Sequence, residues 1–213
     1  YCIPLEFTFG EQLEYDSIQQ DFVKHKVWLG PDAFELAKFF ISNKQCTSEE
    51  RSHAIGFYNA MRERKNMVDT ASAKIDKFKE LVADNLDKRI ITFGGLNEFT
   101  DKLAESVAPL AEVYHSKRTL KNRREALRRF KEGEVNVLCS TKALNQGFDI
   151  PNANVGIICG LTSKSLSMIQ RIGRLIRFEE GKVGKIYILY IEDSQEKKWL
   201  TNSLRELNGV KWL

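Results

Sequence analysis

The stretch "RIITFGGLNEFTDKLAESVAPLAEVYH" (89–115) decides the fold. It opens on the apolar, β-branched run "RIITF" (89–93) and breaks at Gly94 and Gly95. It then continues with the amphipathic "NEFTDKLAESVAPL" (97–110) and returns to the strand-like "AEVYH" (111–115). Strand, glycine turn, helix and strand in that order read as a β-α-β unit, in which the two strands run parallel and the helix crosses one face. The same alternation repeats outward. "VNVLCS" (135–140), "VGIIC" (155–159) and "KIYILYI" (185–191) read as strands, and so does "IPLEFTF" (3–9) near the start. "LKNRREALRRFKEG" (120–133) and "SKSLSMIQRIGRLIRF" (163–178) have helical periodicity. Most of the strands are nearly continuous apolar runs, as expected where a parallel sheet is covered on both faces. The expected fold is α/β, an open and mostly parallel sheet sandwiched by helices, with ligands bound beyond the C-terminal ends of the strands.

Residues 11–86 differ. "PDAFELAKFFISNKQ" (31–45), "SEERSHAIGFYNAMRERKNMVDTA" (48–71) and "SAKIDKFKELVADN" (72–85) read as two to four helices with no strand between them. They suggest an N-terminal helical elaboration joined to the α/β body near "TASAK" (70–74), with a separate small bundle as the alternative. The chain divides on this reading into a leading strand plus helical elaboration (1–86), an α/β core (87–193) and a terminal helix (194–213). In that last segment Trp199 and Trp212 are expected to pack rather than bind bases. The start at Tyr1, entering directly into a strand-like run, suggests a piece of a longer polypeptide.

Composition narrows the classes. A hydrophobic content of 42% is enough for a real core, and 33 basic against 29 acidic residues give a net charge of only +4. Any surface for a polyanion must therefore be local. Cys2, Cys46, Cys139 and Cys159 are widely spaced and form no C-x-x-C pair, so neither a zinc site nor a disulfide framework is indicated. Cys139 and Cys159 sit in apolar runs and read as small buried hydrophobes. No run approaches the roughly 18 apolar residues of a membrane span, and no basic-then-apolar leader is seen. A soluble, intracellular protein with no membrane partner is expected, cytoplasmic in the plainest case.

Four segments could support chemistry. "CSTKALNQGFDIPN" (139–152) follows a strand and offers the Thr141 hydroxyl, Gly147 and Asp149, a set able to hold a phosphate at one end and a sugar hydroxyl at the other. A capping loop with Asp149 as a turn residue competes with that reading. "QRIGRLIR" (170–177) places Gln170, Arg174 and Arg177 on one helical face and Ile169, Ile172 and Ile176 on another. Two arginines one turn apart suit a triphosphate, although a solvated face paired to Glu179 and Glu180 is the plainer alternative. "HSKRTLKNRREALRRFKEG" (115–133) concentrates Lys117, Arg118, Lys121, Arg123, Arg124, Arg128, Arg129 and Lys131 into a local basic patch of the kind that tracks a sugar-phosphate backbone. Finally, Gly94 and Gly95 lie between a strand and a helix, where backbone can approach an anion.

Together these segments resemble the second motor domain of superfamily 2 helicases and translocases. "RIITF" looks like motif IV, "STKALNQGFDIPN" (140–152) like motif V, and "QRIGRLIR" matches the motif VI pattern of Gln, Gly-Arg and a final Arg. The likeness covers roughly residues 86–193, with His115, Arg123, Phe130 and Gly133 spaced as in family members. It implies a RecA-like fold in which Arg174 and Arg177 reach the γ-phosphate of ATP and Gln170 links that site to the nucleic-acid side. Gly147 and Asp149 would approach the nucleotide. Thr141, Arg123 and the Gly94 backbone would hold phosphates of the tracked strand.

Such a motor also needs a G-x-x-x-x-G-K-[ST] loop and an acidic box for Mg²⁺. Neither occurs in this sequence, and "GLTSKS" (160–165) has no glycine before Lys164. ATP and Mg²⁺ are therefore expected to be bound mainly by an N-terminal RecA-like domain of the same polypeptide, and this chain alone is expected to be inactive. Ser116, Leu120 and Gln170 depart from the pattern of RNA-unwinding members and point to DNA as the partner, as in XPB-like repair helicases, phage helicases and restriction-enzyme motors. RNA is the alternative, as is a nucleic-acid-binding scaffold whose nucleotide chemistry has lapsed. The intact set Gln170, Arg174, Arg177 and Asp149 speaks against the scaffold.

Overall fold

The computed structural model describes residues 1–141, 153–162, 169, 184–205 and 210–213. Gly147, Asp149, Gln170, Arg174 and Arg177 lie outside the described residues, as does nearly all of the helix expected over 163–178. The chain divides into two compact units, Tyr1–Glu6 with Asp69–Leu213, and Phe7–Val68.

The first unit is the expected α/β sandwich. Its strands are β1 (Cys2–Leu5), β2 (Ile90–Phe93), β3 (Ala111–Tyr114), β4 (Val137–Ser140), β5 (Val155–Ile158) and β6 (Lys185–Ile191), in the order β1-β6-β5-β2-β4-β3. Every pairing is parallel. All four residues of β2, of β4 and of β5 are buried, the pattern of strands covered on both faces.

Neighbouring residues along these strands feed opposite layers. Ile91, Leu138, Ile158, Ile188 and Tyr190 pack with Ala126 and Phe130 of α6 (Leu120–Glu132) and with Leu200 and Leu204 of α7 (Gln195–Leu204). Ile90, Val137, Ile157 and Leu189 pack on the other side with Phe78, Leu81 and Val82 of α4 (Ser72–Ala83) and with Phe99 and Leu103 of α5 (Asn97–Ser106). The helix α4 was grouped by its sequence with the helical elaboration. Its apolar face instead completes one layer of the sandwich, and the unit boundary falls just before it, between Val68 and Asp69.

β1 stops at Leu5, although the alternating run continues to Phe9. The cause is a helix cap. The Thr8 hydroxyl accepts from the Glu11 amide at 3.3 Å while the Glu11 carboxylate accepts from the Thr8 amide at 2.9 Å, which starts α1 (Phe9–Leu29). At the other terminus the helix expected to fill 194–213 ends as α7 at Leu204, and Trp212 lies as a parallel bridge beside Cys2. The Cys2 amide donates to the Lys211 carbonyl at 2.8 Å and the Leu213 amide donates to the Cys2 carbonyl at 3.0 Å. An otherwise unpaired strand edge thus satisfies its polar groups.

The second unit consists of α1, α2 (Ala33–Ser42) and α3 (Ser48–Thr70) as far as Val68. Its small core gathers Leu29, Ala33, Ala37, Ala54 and Phe57. Trp28 stacks on His53 at 4.2 Å between ring centroids, and the Arg64 guanidinium stands 4.2 Å from the Phe22 ring. No helix among the described residues is long and apolar enough to cross a membrane.

Candidate functional site

The register brings the candidate segments to one line. Phe93 pairs with Ser140 and with Ile158, and Ser140 pairs with Tyr114. The next residues, Gly94, Thr141, Cys159 and His115, therefore leave the sheet at the same level on four adjacent strands. This is its C-terminal edge, where open parallel sheets bind ligands. The helix α6 begins shortly after β3 ends, so its first turn lies at the same edge.

Backbone approaches backbone closely here. A methyl group on Gly160 would stand 2.6 Å from the Gly95 Cα and 2.9 Å from the Gly94 carbonyl oxygen, and Gly95 itself holds a left-handed φ of 81°. Substitution of Gly160 by alanine is therefore expected to destabilise the protein by about 2–3 kcal/mol, since two backbone segments would have to move apart. Gly10 has open space around it, and Gly10→Ala is expected to cause no loss. Urea midpoints followed by circular dichroism check the pair, and an unchanged midpoint for Gly160→Ala would contradict the close contact.

Thr141 is held from the side. Its hydroxyl donates to Asn97 Oδ1 at 2.7 Å and lies 3.5 Å from Thr100 Oγ1, while the fully buried Thr100 donates its own hydroxyl to the Leu96 carbonyl at 2.7 Å. Gly94 leaves room for this arrangement, because a Cβ there would meet Thr100 Oγ1 at 2.4 Å. On β3's side, buried His115 shares Asp101 Oδ1 with Arg118, at 3.0 Å from His115 Nε2 and 2.7 Å from Arg118 Nη2. Burial alone would raise the Asp101 carboxyl, but hydrogen bonds from Arg118 and His115 outweigh it and hold the group below its usual value. Arg123 stands over the Tyr114 ring, 5.9 Å from its centroid, with a buried Nε that has no hydrogen-bond partner among the described residues.

The basic patch is smaller than its sequence suggests. Lys117 pairs with Glu98 at 3.4 Å and Arg118 with Asp101. Arg128 is surrounded by Glu125 and Glu134, each at 2.6 Å, and by Glu132. Arg129 is paired with Glu134 at 3.1 Å and with Glu112. Lys121, Arg123 and Arg124, in the first half of α6, are left without an acidic partner among the described residues. The second half of the helix is thus occupied by ion pairs. The first half is the part that faces the sheet's C-terminal edge.

Below this edge sits a charged pair that gave no sequence signal. Lys74 of α4 donates to the Cys159 carbonyl at 2.7 Å and to both oxygens of Glu196 at 2.9 Å, with both side chains fully buried. Glu196 Oε2 also accepts from the Ile191 amide at 3.0 Å. Burial pushes the Glu196 carboxyl above its ordinary range, against the pull of Lys74 and of that amide. The same burial raises the thiols of Cys139 and Cys159, the latter to about 12, so both are unreactive packing residues. Among the described residues no group of three or more His, Cys, Asp or Glu side chains is placed to hold a metal ion.

Of the sequence-derived candidates, Gly94, Thr141 and Arg123 thus share one edge, while Gly147, Asp149, Gln170, Arg174 and Arg177 lie outside the described residues. Asn97, Thr100 and Asp101 were missed. They occur in "NEFTD", where they read only as the polar start of a helix.

Comparison with known proteins follows the same line. The family model described as "Helicase conserved C-terminal domain" matches residues 73–179, half of the chain. The DNA 3'-5' translocase XPB2 of Sulfurisphaera tokodaii is 26% identical over 191 residues, covering 87% of this chain and 41% of the relative. The ATP-dependent RNA helicase ROK1 of Meyerozyma guilliermondii is 38% identical over 84 residues, covering 39% of this chain and 15% of the relative. The chain therefore spans less than half the length of these curated relatives. The Sulfolobus solfataricus SWI2/SNF2 ATPase C-terminal domain superimposes over 98% of this chain and 86% of its own, with a TM-score of 0.61 at 14% identity, a likeness of fold. A parallel sheet in the order β1-β6-β5-β2-β4-β3 with helices on both faces, and a family model matched from α4 onward, lead to one conclusion: the chain belongs to the helicase conserved C-terminal domain family, the second RecA-like motor domain of superfamily 2 helicases and translocases.

Proposed function

We propose that this chain is the strand-holding, finger-bearing half of an ATP-driven nucleic-acid motor. The observation that supports this most is the alignment of Gly94, Thr141 and the unpaired first half of α6 along one edge of the sheet. Such an edge offers polar side chains and a few cations to a sugar-phosphate backbone, which positions a strand without reading its sequence. Arg174 and Arg177 would act on ATP held by an N-terminal domain of the same polypeptide, and Gln170 would couple the two sites. Gly147 and Asp149 would touch the nucleotide. ATP drawing the two domains together and hydrolysis releasing them would shift these contacts along the strand. Mg²⁺ belongs with the N-terminal half in this reading, since the acidic box that would hold it is not in this sequence.

The backbone chemistry is common to DNA and RNA. Ser116, Leu120 and Gln170 favour DNA, and a DNA translocase is among the relatives. An RNA helicase is the second reading, favoured by the higher identity to a relative of that name.

The test is ATP hydrolysis by the longest natural polypeptide that contains this chain, with and without single-stranded and duplex DNA and RNA. Stimulation by one polymer is expected, on the order of tenfold or more, and this chain alone is expected to hydrolyse no ATP. Hydrolysis absent under every condition, with strands still bound, would support the lapsed scaffold instead.

A further inference from the structure

A hydroxyl has one proton, and Thr141 has already placed it. It points at Asn97 Oδ1, 2.7 Å away, and the neighbouring Thr100 hydroxyl gives its proton to the Leu96 carbonyl. Both oxygens are left as acceptors toward anything else that approaches. A phosphodiester is also acceptor-only, so in this arrangement neither threonine can donate to it.

Asn97 is different. Its Oδ1 is fixed by Thr141, which orients the amide and leaves the NH₂ group on the opposite side. That nitrogen has no partner among the described residues, and Asn97 is only half-buried. Asn97 is also the first residue of α5, preceded by Leu96, which provides no side-chain cap. Of the Thr100, Thr141 and Asn97 side chains, the Asn97 amide is thus the one with hydrogens to offer outward.

We propose that Asn97 donates the backbone hydrogen bond at this edge, its NH₂ group binding a phosphodiester oxygen of the strand, and that Thr141 is the positioning residue that holds the amide in place. This rests on the strand-holding reading above and names the donor within it. Thr141 contributes by restricting Asn97's rotamers before the strand arrives, which lowers the ordering cost of binding.

The test is the affinity of the full polypeptide, without nucleotide, for fluorescein-labelled oligothymidylate and oligouridylate of equal length, measured across a salt series. Asn97→Ala is expected to weaken both by about 3- to 10-fold, the range of one neutral hydrogen bond. Its salt dependence should stay that of the wild type, since no charge is lost. Arg123→Gln provides the contrast, lowering the slope of log affinity against log salt by about 0.7. Asn97→Asp keeps the acceptor that Thr141 needs and turns the outward donor into an anion, so it should bind about tenfold more weakly or worse. Thr141→Val should weaken binding in the wild-type background and add no more than about twofold when Asn97 is already alanine, because the hydroxyl acts through the amide.

Four results would overturn the assignment. One is binding by both Asn97→Ala and Asn97→Asp within twofold of wild type. Another is a full Thr141→Val penalty that persists without Asn97, making the threonine itself the contact. A loss confined to oligouridylate would make the 2′-hydroxyl, not the phosphate, the partner. A wild-type polypeptide that binds neither strand removes the strand-holding reading itself, an outcome distinct from the other three.

Discussion

Arg177→Ala in the longest natural polypeptide is expected to lower strand-stimulated ATP hydrolysis by on the order of 10³-fold while strand affinity stays close to wild type. In phosphoryl transfer the developing charge spreads over the oxygens of the transferred group, and the protein contributes mainly by placing fixed cations against it. An arginine one turn after another on the motif VI pattern suits that role because its planar fork meets two oxygens at once and keeps its proton. Arg177→Lys should therefore recover little of the loss. Steady-state phosphate release at saturating strand, set beside the strand affinity of the same preparations, separates the two quantities. Hydrolysis by the alanine variant within tenfold of wild type would remove Arg177 from the chemistry and move the reading toward the lapsed scaffold.

Glu196→Ala should be the most damaging change to stability among the buried residues described above. Lys74 has no solvent to retreat to. With its carboxylate removed it would retain the Cys159 carbonyl as a neutral acceptor and lose the counter-charge bonded to it between α4, β5 and α7. Breaking a fully buried ion pair from one side costs about 3–5 kcal/mol, whereas replacing both partners by apolar residues of similar volume is often neutral. Lys74→Met combined with Glu196→Leu should therefore recover most of what Glu196→Ala loses. Equilibrium urea denaturation of the three proteins measures this directly. A loss below about 1 kcal/mol for Glu196→Ala would mean that water reaches Lys74.

That pair also marks the limit of what the sequence makes legible. The strands were readable because their signal is local: "VNVLCS" and "VGIIC" are apolar on both faces, and the observed β4 and β5 fall inside them. The end of β1 was misjudged: the alternation continues to Phe9, whereas the capping box of Thr8 and Glu11 in "TFGE" starts a helix there. Lys74 in "TASAK" and Glu196 in "SQEKK" look like ordinary solvated residues, because what buries them is the convergence of segments 122 residues apart. The basic helix shows the same limit from the other side. Its arginine density is plain in the sequence, but Glu112 on β3 and Glu134 beyond the helix neutralise Arg129 only once the chain has folded. At the site itself Gly94, Thr141 and Arg123 could be picked out by motif. Asn97 could not, since its significance depends on where a single threonine proton points.

The position of Pro4 limits how this sheet can meet other chains. In β1 the groups of Tyr1, Ile3 and Leu5 face β6, since the Ile188 amide donates to the Tyr1 carbonyl and the Glu192 amide to the Leu5 carbonyl, so Cys2 and Pro4 face outward. On that side the Cys2 pairing with Lys211 and Leu213 occupies the first rung, and the next rung would need an amide hydrogen that proline does not have. A foreign strand arriving here finds one rung filled and the following one impossible to form. The β1 border of the sheet is thus a poor template for the edge-to-edge stacking that turns exposed strands into fibres.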